Sequence, residues 1–424
     1  MKRIIIISIC MLGGCWSILA QLRIDDCQLK ARENFPLIRK YRLIEQAKEY
    51  SLLNASKAYL PQFQMNARAT YQSEVTSIPI TLPPGMEIPI LKKDQYQLTL
   101  EASQLLWDGG AVRSQEKMTE AGSEVETRQV AVDVYALEDK VNQLFFGILS
   151  FDAQLEQNRI LQDELQRNYT TIASYMANGI ANQADLDAVK VEQLNARQIR
   201  TKIQSARKAF VEMLAIMTGE KLSEDVQLEK PNVDDAYRKT FLSTGINRPE
   251  LQLFEAQNQW FDSQKALIKS SLMPKIALFL QGGIGRPGLN MLSNEFRPFY
   301  IGGVRLSWNF GALYTQKNDL QKIEINKNRT NVQRDLFLYQ LNLTTTRENR
   351  NIQGLRELMK DDDEIIALRE NIRKSAEAKV ANGTLTVTDL VQEISRENLA
   401  RQARATREID LLIALYNMKY AMNR

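Results

Sequence analysis

The sequence predicts a mainly α chain with a membrane β part: long antiparallel coiled-coil helices interrupted by four β-strands. Three observations carry this. Residues 110–230 and 311–424 contain no proline, and each run is broken once by a short polar turn or brief connection. Four separate segments alternate apolar and polar residues with period two, the signature of strands with one wet and one dry face. The two halves of the chain also repeat each other. The turn at Ala177–Leu186 and the turn at Ala381–Leu390 both begin Ala-Asn-Gly and end Asp-Leu. Pro36 and Pro249 recur at the same spacing as Pro61 and Pro274, and Trp107-Asp108-Gly109-Gly110 is echoed by Trp308-Asn309-Phe310-Gly311. A unit of half the chain is too long for a solenoid repeat, so one module is duplicated. The organisation is a signal peptide over 1–20, a first repeat over 21–230 and a second over 231–424.

The leader has Lys2 and Arg3 ahead of an apolar run, and Ala20 precedes Gln21. That pattern is a secretory signal peptide cleaved after Ala20. A competing reading takes Leu12-Gly13-Gly14-Cys15 as a lipoprotein box, with Cys15 the acylated first residue. No later stretch offers the roughly 18 apolar residues of a membrane-spanning helix.

Asp25 and Asp26 cap a first short helix through Asn34. Pro36 opens a second that stops at Pro61. The period then changes. Phe63 to Val75 places Phe63, Met65, Ala67, Ala69 and Tyr71 on one face and Gln64, Asn66, Arg68, Thr70 and Gln72 on the other. A proline-rich loop follows, then a strand from Tyr96 to Leu106. The second repeat supplies strands at 275–284 and 300–310. Strands of this length suit a tilted membrane crossing, which takes about 9–11 residues. Aromatics gather at strand ends (Phe63, Tyr71, Tyr96, Trp107), where an interfacial girdle places them.

The helical runs follow. From Gly110 to Ala177 one helix of about 100 Å is expected, at about 1.5 Å per residue. Val134, Leu137, Val141, Leu144, Ile148, Phe151 and Leu155 alternate spacings of three and four, a heptad seam. The return helix carries Val189, Ala196, Ile199, Ile203, Phe210, Met213 and Met217, and Gly219 ends it as a C-cap. In the second repeat the stripe reads Val332, Leu336, Tyr339, Leu343, Ile365, Leu368 and Ile372. The acidic run Asp361–Glu364 points in several directions around a helix and reads as solvated surface or pore wall, not as a metal site.

Composition narrows function by exclusion. Lys and Arg number 55 against 51 Asp and Glu, with no basic patch, so nucleic acid is not an expected partner. There is no histidine, the commonest acid–base catalyst and metal ligand. Of the three cysteines, only Cys27 lies outside the leader. No catalytic constellation, metal site or cofactor is expected. The spacing Gly283-x-Gly285-x-x-Gly288 follows a strand but opens no helix, so it is a loop and not a nucleotide fingerprint.

Four strands are too few to close a barrel, for which about eight are needed. Each chain must therefore contribute part of a barrel shared with other copies. At this point the sequence resembles the TolC-type outer membrane efflux channel family along nearly the whole mature chain. The residues that carry the resemblance are Asp25-Asp26-Cys27 with Asn34-Phe35-Pro36, Arg248-Pro249-Glu250-Leu251, the two Trp strand-to-helix junctions, and the two turns Gly179–Leu186 and Gly383–Leu390.

The resemblance implies a homotrimer with a 12-stranded barrel in outer membrane lipid and a helical tunnel reaching into the periplasm of a Gram-negative bacterium. The two turns would form the periplasmic tip and dock a periplasmic adaptor (membrane fusion) protein joined to an inner-membrane pump. Asn178, Gly179, Asp185 and Leu186, with Asn382, Gly383, Asp389 and Leu390, are the expected tip residues. Gly179 and Gly383 allow the turns, Asp185 and Asp389 cap the returning helices, and Leu186 and Leu390 are candidate docking knobs. In some family members acidic residues on the helix entering the second turn constrict the tube; here the segment offers only Glu377, which becomes the candidate pore constriction. The expected work is passive conduction of small molecules (drugs, toxic compounds or metal ions) driven by the pump. The alternatives are the outer membrane component of a type I protein secretion system, or a periplasmic coiled-coil adaptor.

Overall fold

The computed structural model describes residues 21–76, 91–179, 181–242 and 245–423. The signal peptide and lipidation readings, Cys15 included, lie outside the described residues, as does the proline-rich loop between the first two strands. The described chain contains eight α-helices and four strands, and forms two compact units. None of the described helices is long and apolar enough to cross a membrane.

One unit comprises residues 39–132 and 249–338 and holds the sheet. Strands β1 (Gln62–Tyr71), β2 (Asp94–Trp107), β3 (Lys275–Arg286) and β4 (Arg297–Ser307) pair antiparallel in sequence order. β1 ends at Tyr71 rather than Val75, just before Ser73 breaks the apolar row. β4 starts at Arg297, taking in Pro298, which an edge strand tolerates. At its other end Trp308 and Phe310 leave the strand for the junction, where Trp308 Nε1 donates to Leu272 O at 2.9 Å.

The junction after β2 rests on Asp108. Its carboxylate accepts from the backbone N–H groups of Gly110 at 2.8 Å and Val112 at 2.6 Å and from the Tyr59 hydroxyl at 3.2 Å. The next residue, Gly109, has φ +69°, and a Cβ there would overlap Met273. In the second repeat Asn309 takes the place of Asp108, and its Oδ1 accepts from Gly311 N at 3.0 Å.

The other unit comprises residues up to 38 with 133–248 and 339–424. Its helices are α1 (Ile24–Asn34), the greater part of α3 (Ala111–Ala177), α4 (Gln183–Thr218), α5 (Val233–Leu242), the distal part of α7 (Leu313–Ala381) and α8 (Val387–Met422). Helices α2 (Ile38–Ser56) and α6 (Pro249–Ser271) belong to the sheet-bearing unit apart from Ile38. Arg23, not an aspartate, is the N-cap of α1, and Asp25 and Asp26 sit in its first turn, where the helix dipole favours them. The core joins Cys27 and Ala31 of α1 to Val141, Phe145 and Ile148 of α3, Leu214 of α4, and Leu412 and Leu415 of α8. Five members of the α3 seam, Val134 to Ile148, are buried there.

The repeat is visible in how helices end. Gly219, at φ +72°, caps α4, and Asn34 Nδ2 donates to the last carbonyls, Ile216 O at 3.1 Å and Met217 O at 3.2 Å. At the end of α8, Asn423 takes the left-handed position, Asn247 N donates to Met422 O, and the Arg248 guanidinium lies close to both rings of the stacked Tyr135–Tyr420 pair, at 4.8 and 4.9 Å. The Asn-x-Pro motifs therefore mark where each repeat receives the end of its own returning helix.

Candidate functional site

Directly opposed residues of an antiparallel pair share a face. The register aligns Met65, Leu100, Gly282 and Tyr300 in one row and Gln64, Glu101, Gln281 and Ile301 in the next. One face is thus built from Phe63, Met65, Leu98, Leu100, Leu278, Leu280, Tyr300, Val304 and Leu306, all exposed. The opposite face carries glutamines, asparagine, threonine and charges. Its contacts confirm the assignment: Arg68 Nη2 donates to Gln97 Oε1 at 3.2 Å, and Arg305 pairs with Glu101 at 3.0 Å while stacking on Phe279. Gly283 and Gly303 make room on that face for the rings of Phe299 and Phe279, their direct strand partners, an aromatic cover over glycine.

The two hairpin turns form the second feature. Gly179 has φ +75° and Gly383 φ +69°; a Cβ at either would meet nothing, so the requirement is backbone conformation alone. The caps of the returning helices are Asn182 and Thr386, three residues earlier than expected. Asn182 Oδ1 accepts from Asp185 N at 3.1 Å while Asp185 Oδ2 accepts from Asn182 N at 3.0 Å, a capping box. Thr386 Oγ1 accepts from Asp389 N at 3.1 Å and donates to Asp389 Oδ2 at 2.6 Å. Asp185 and Asp389 are thus third-position partners of the caps, not the caps themselves.

Among solved structures, the chain is similar to CusC, described by its transmembrane channel formation, with TM-score 0.69 and 14% identity over 94% of this chain and 91% of that one. It is similar to the outer membrane protein VceC of Vibrio cholerae, with TM-score 0.67 and 13% identity over 94% and 95%. The Campylobacter jejuni CmeC outer membrane channel gives TM-score 0.64 and 12% identity over 94% and 85%. The chain has the TolC-type outer membrane channel fold. No family model and no curated protein matches it at the level of sequence.

In this TolC-type fold the tip residues divide into two groups. Asn178, Gly179, Asn382 and Gly383 are exposed. Leu186 and Leu390 are not free knobs: they are 8% and 3% exposed, in a cluster with Leu165, Ile172, Val380 and Ile394 that packs one hairpin on the other. Each follows a cap by four residues and is taken up by the chain's own core, joined on α8 by Val387, which directly follows the Thr386 cap.

Glu377 accepts from Arg373 Nη1, one turn earlier on α7, and is partly exposed. The same guanidinium reaches Glu397 of α8 at 2.6 Å and Glu164 of α3 at 2.9 Å, and Arg401 pairs with Glu397 at 2.7 Å. Burial pushes the Glu164 carboxyl above its usual range, against the pull of Arg373. Burial also opposes the charge on Arg373, but the hydrogen bond to Glu397 and the surrounding carboxylates outweigh it and raise its pKa. This three-helix ion cluster was not foreseen, because the sequence does not say which helix faces meet. Asp362 was also misread: it is buried and paired with Arg407 of α8, while Asp363 pairs with Arg404 at 2.6 Å. The signal for both was the file of arginines, Arg401, Arg404 and Arg407, along α8. Among the described residues no group of His, Cys, Asp and Glu is arranged to hold a metal ion.

The apolar stripe of α7 behaves unlike that of α3. Val332, Leu336, Tyr339, Leu343, Ile365, Leu368 and Ile372 all remain exposed in the single chain, as do Ile199 and Met213 of α4.

Proposed function

We propose that three copies of this chain form an outer membrane channel, a water-filled conduit for efflux whose cargo is delivered by an inner-membrane pump through a periplasmic adaptor. The observation that carries the reading is the sheet: four strands of 10 to 14 residues, one face apolar and exposed, one face polar. Such a sheet has two open edges, β1 and β4. Exposed edges of this length invite pairing, and closure with other copies removes them. Three copies supply twelve strands. The exposed α7 stripe supports the same assembly, since a heptad seam of this length needs a facing helix. A periplasmic coiled-coil adaptor would leave the amphipathic sheet without a use.

Outer membrane efflux channels with this fold support the assignment of transport and location. The exposed turns at Asn178–Gly179 and Asn382–Gly383 are the proposed adaptor-docking tip, with passage controlled by movement of the tip helices. Cysteine labelling in intact outer membranes tests the sheet assignment. Met65→Cys and Leu100→Cys react with a lipid-soluble maleimide and resist a water-soluble one, whereas Gln64→Cys and Gln97→Cys do the reverse. The native Cys27 stays silent, because burial pushes its thiol up to about 12. Equal water-soluble labelling at Met65→Cys and Gln64→Cys contradicts the membrane reading.

A further inference from the structure

The wet face of the sheet is not electrically neutral. It carries Arg68 on β1, Lys275 on β3, and Arg297 and Arg305 on β4, against a single carboxylate, Glu101 on β2. The register fixes their levels. Arg68, Gln97, Gly285 and Arg297 form one row near the loop end of the sheet, so two guanidinium groups share a row whose third position has no side chain. Lys275 lies opposite Ser307 at the helix end. Glu101 is committed to Arg305. Arg297 pairs with Glu295, which lies in the preceding loop. Arg68 and Lys275 have no carboxylate within salt-bridge distance among the described residues. The apolar face shows the opposite economy: its one cation, Arg286, is closed by Asp94.

On a wall facing water, an excess of fixed cations raises the local concentration of counter-ions. Resting on the channel reading above, we infer that the barrel wall selects for anions, with the unpaired Arg68 and Lys275 as the residues that set the preference, and that anionic solutes are the favoured cargo. The hairpin tips supply no competing free negative charge from Glu377, whose carboxylate is held by Arg373. Threefold repetition multiplies the excess around one lumen. Because the groups stand in water, the field is screened over about 3 Å at 1 M salt but reaches about 30 Å at 0.01 M. The preference is therefore strongest in dilute salt.

Reversal potentials of the full mature protein in planar bilayers test this, under KCl gradients centred on about 0.01 M and on about 1 M. The expected result is a chloride-to-potassium permeability ratio of about two or more in dilute salt, falling toward one in concentrated salt. The double variant Arg68→Gln, Lys275→Gln loses the preference while keeping the native oligomer mass. If that variant does not assemble, Lys275→Gln alone, at an exposed strand end, carries the comparison and lowers the ratio. A conducting channel that prefers potassium, or variants with an unchanged ratio, overturns the inference and leaves the channel reading standing. Inserted protein that conducts nothing overturns both.

Discussion

Replacing Arg373 by methionine isolates what the ion cluster does for the hairpin tips. The wild-type side chain is 15% exposed and neutralises Glu164, 13% exposed, and Glu397, 4% exposed. Methionine keeps much of the packing volume and removes the charge. Breaking a buried pair from one side costs about 3–5 kcal/mol, because a carboxylate is left without its partner. Glu397 keeps Arg401, so the lower end, about 3 kcal/mol, applies. That corresponds to about 100-fold faster opening-limited amide exchange. The effect falls on residues around 160–175 of α3 and 370–400 of α7 and α8, and leaves the core around Phe145 and Leu412 unchanged. The sign with pH follows from Glu164, whose folded-state pKa is already raised by burial and rises further without the arginine. A carboxyl with a raised folded-state pKa contributes its stability at low pH and loses it as pH climbs through that value. The gap between variant and wild type is therefore widest at neutral pH and narrows on acidification. Adding Glu164→Gln to Arg373→Met removes the orphaned charge and recovers part of the loss. Exchange at wild-type rates in the single variant, or additive losses in the double variant, would refute the reasoning.

Three further outcomes follow from the same structure. Asn182→Ala deletes the cap of α4 and costs about 1 kcal/mol, read as faster exchange confined to the first turn after residue 183 and little change elsewhere. Leu390→Ala, at a buried position, costs about 2–4 kcal/mol and loosens both hairpins, whereas Asn382→Ser, at an exposed one, leaves tip exchange unaltered; equal effects would return Leu390 to a docking role. Met65→Arg places a charge on the apolar face at about 2–4 kcal/mol near mid-membrane and lowers the assembled fraction recovered from outer membranes, while Asn66→Arg on the polar face assembles normally.

Much of this fold was legible because the strands alternate without compromise. A sheet wet on one face and lipid-facing on the other writes Phe63-Gln64-Met65-Asn66 directly into the chain. The turns were legible because a left-handed residue after a long helix calls for glycine, supplied by Gly179 and Gly383. The cap was misplaced by three residues because a capping box uses two polar side chains, and Asp185 draws the eye before Asn182. Strand ends slipped where aromatic junction residues such as Trp308 continue the alternation beyond the ladder. What the sequence did not disclose was the facing of helices across the tip. Periodicity gives a helix its apolar stripe but not its neighbour, so the α3 seam proved buried and the α7 stripe exposed. The Arg373 cluster has the same cause: its members come from three helices, and no spacing along one chain segment brings Glu164, Arg373 and Glu397 together.

The central claim is that one chain supplies a third of a membrane channel. The most direct test is the native mass of the protein extracted from the outer membrane fraction. The account predicts release only by detergent, with a protein mass of three chains. A water-soluble monomer or dimer recovered without detergent would contradict it.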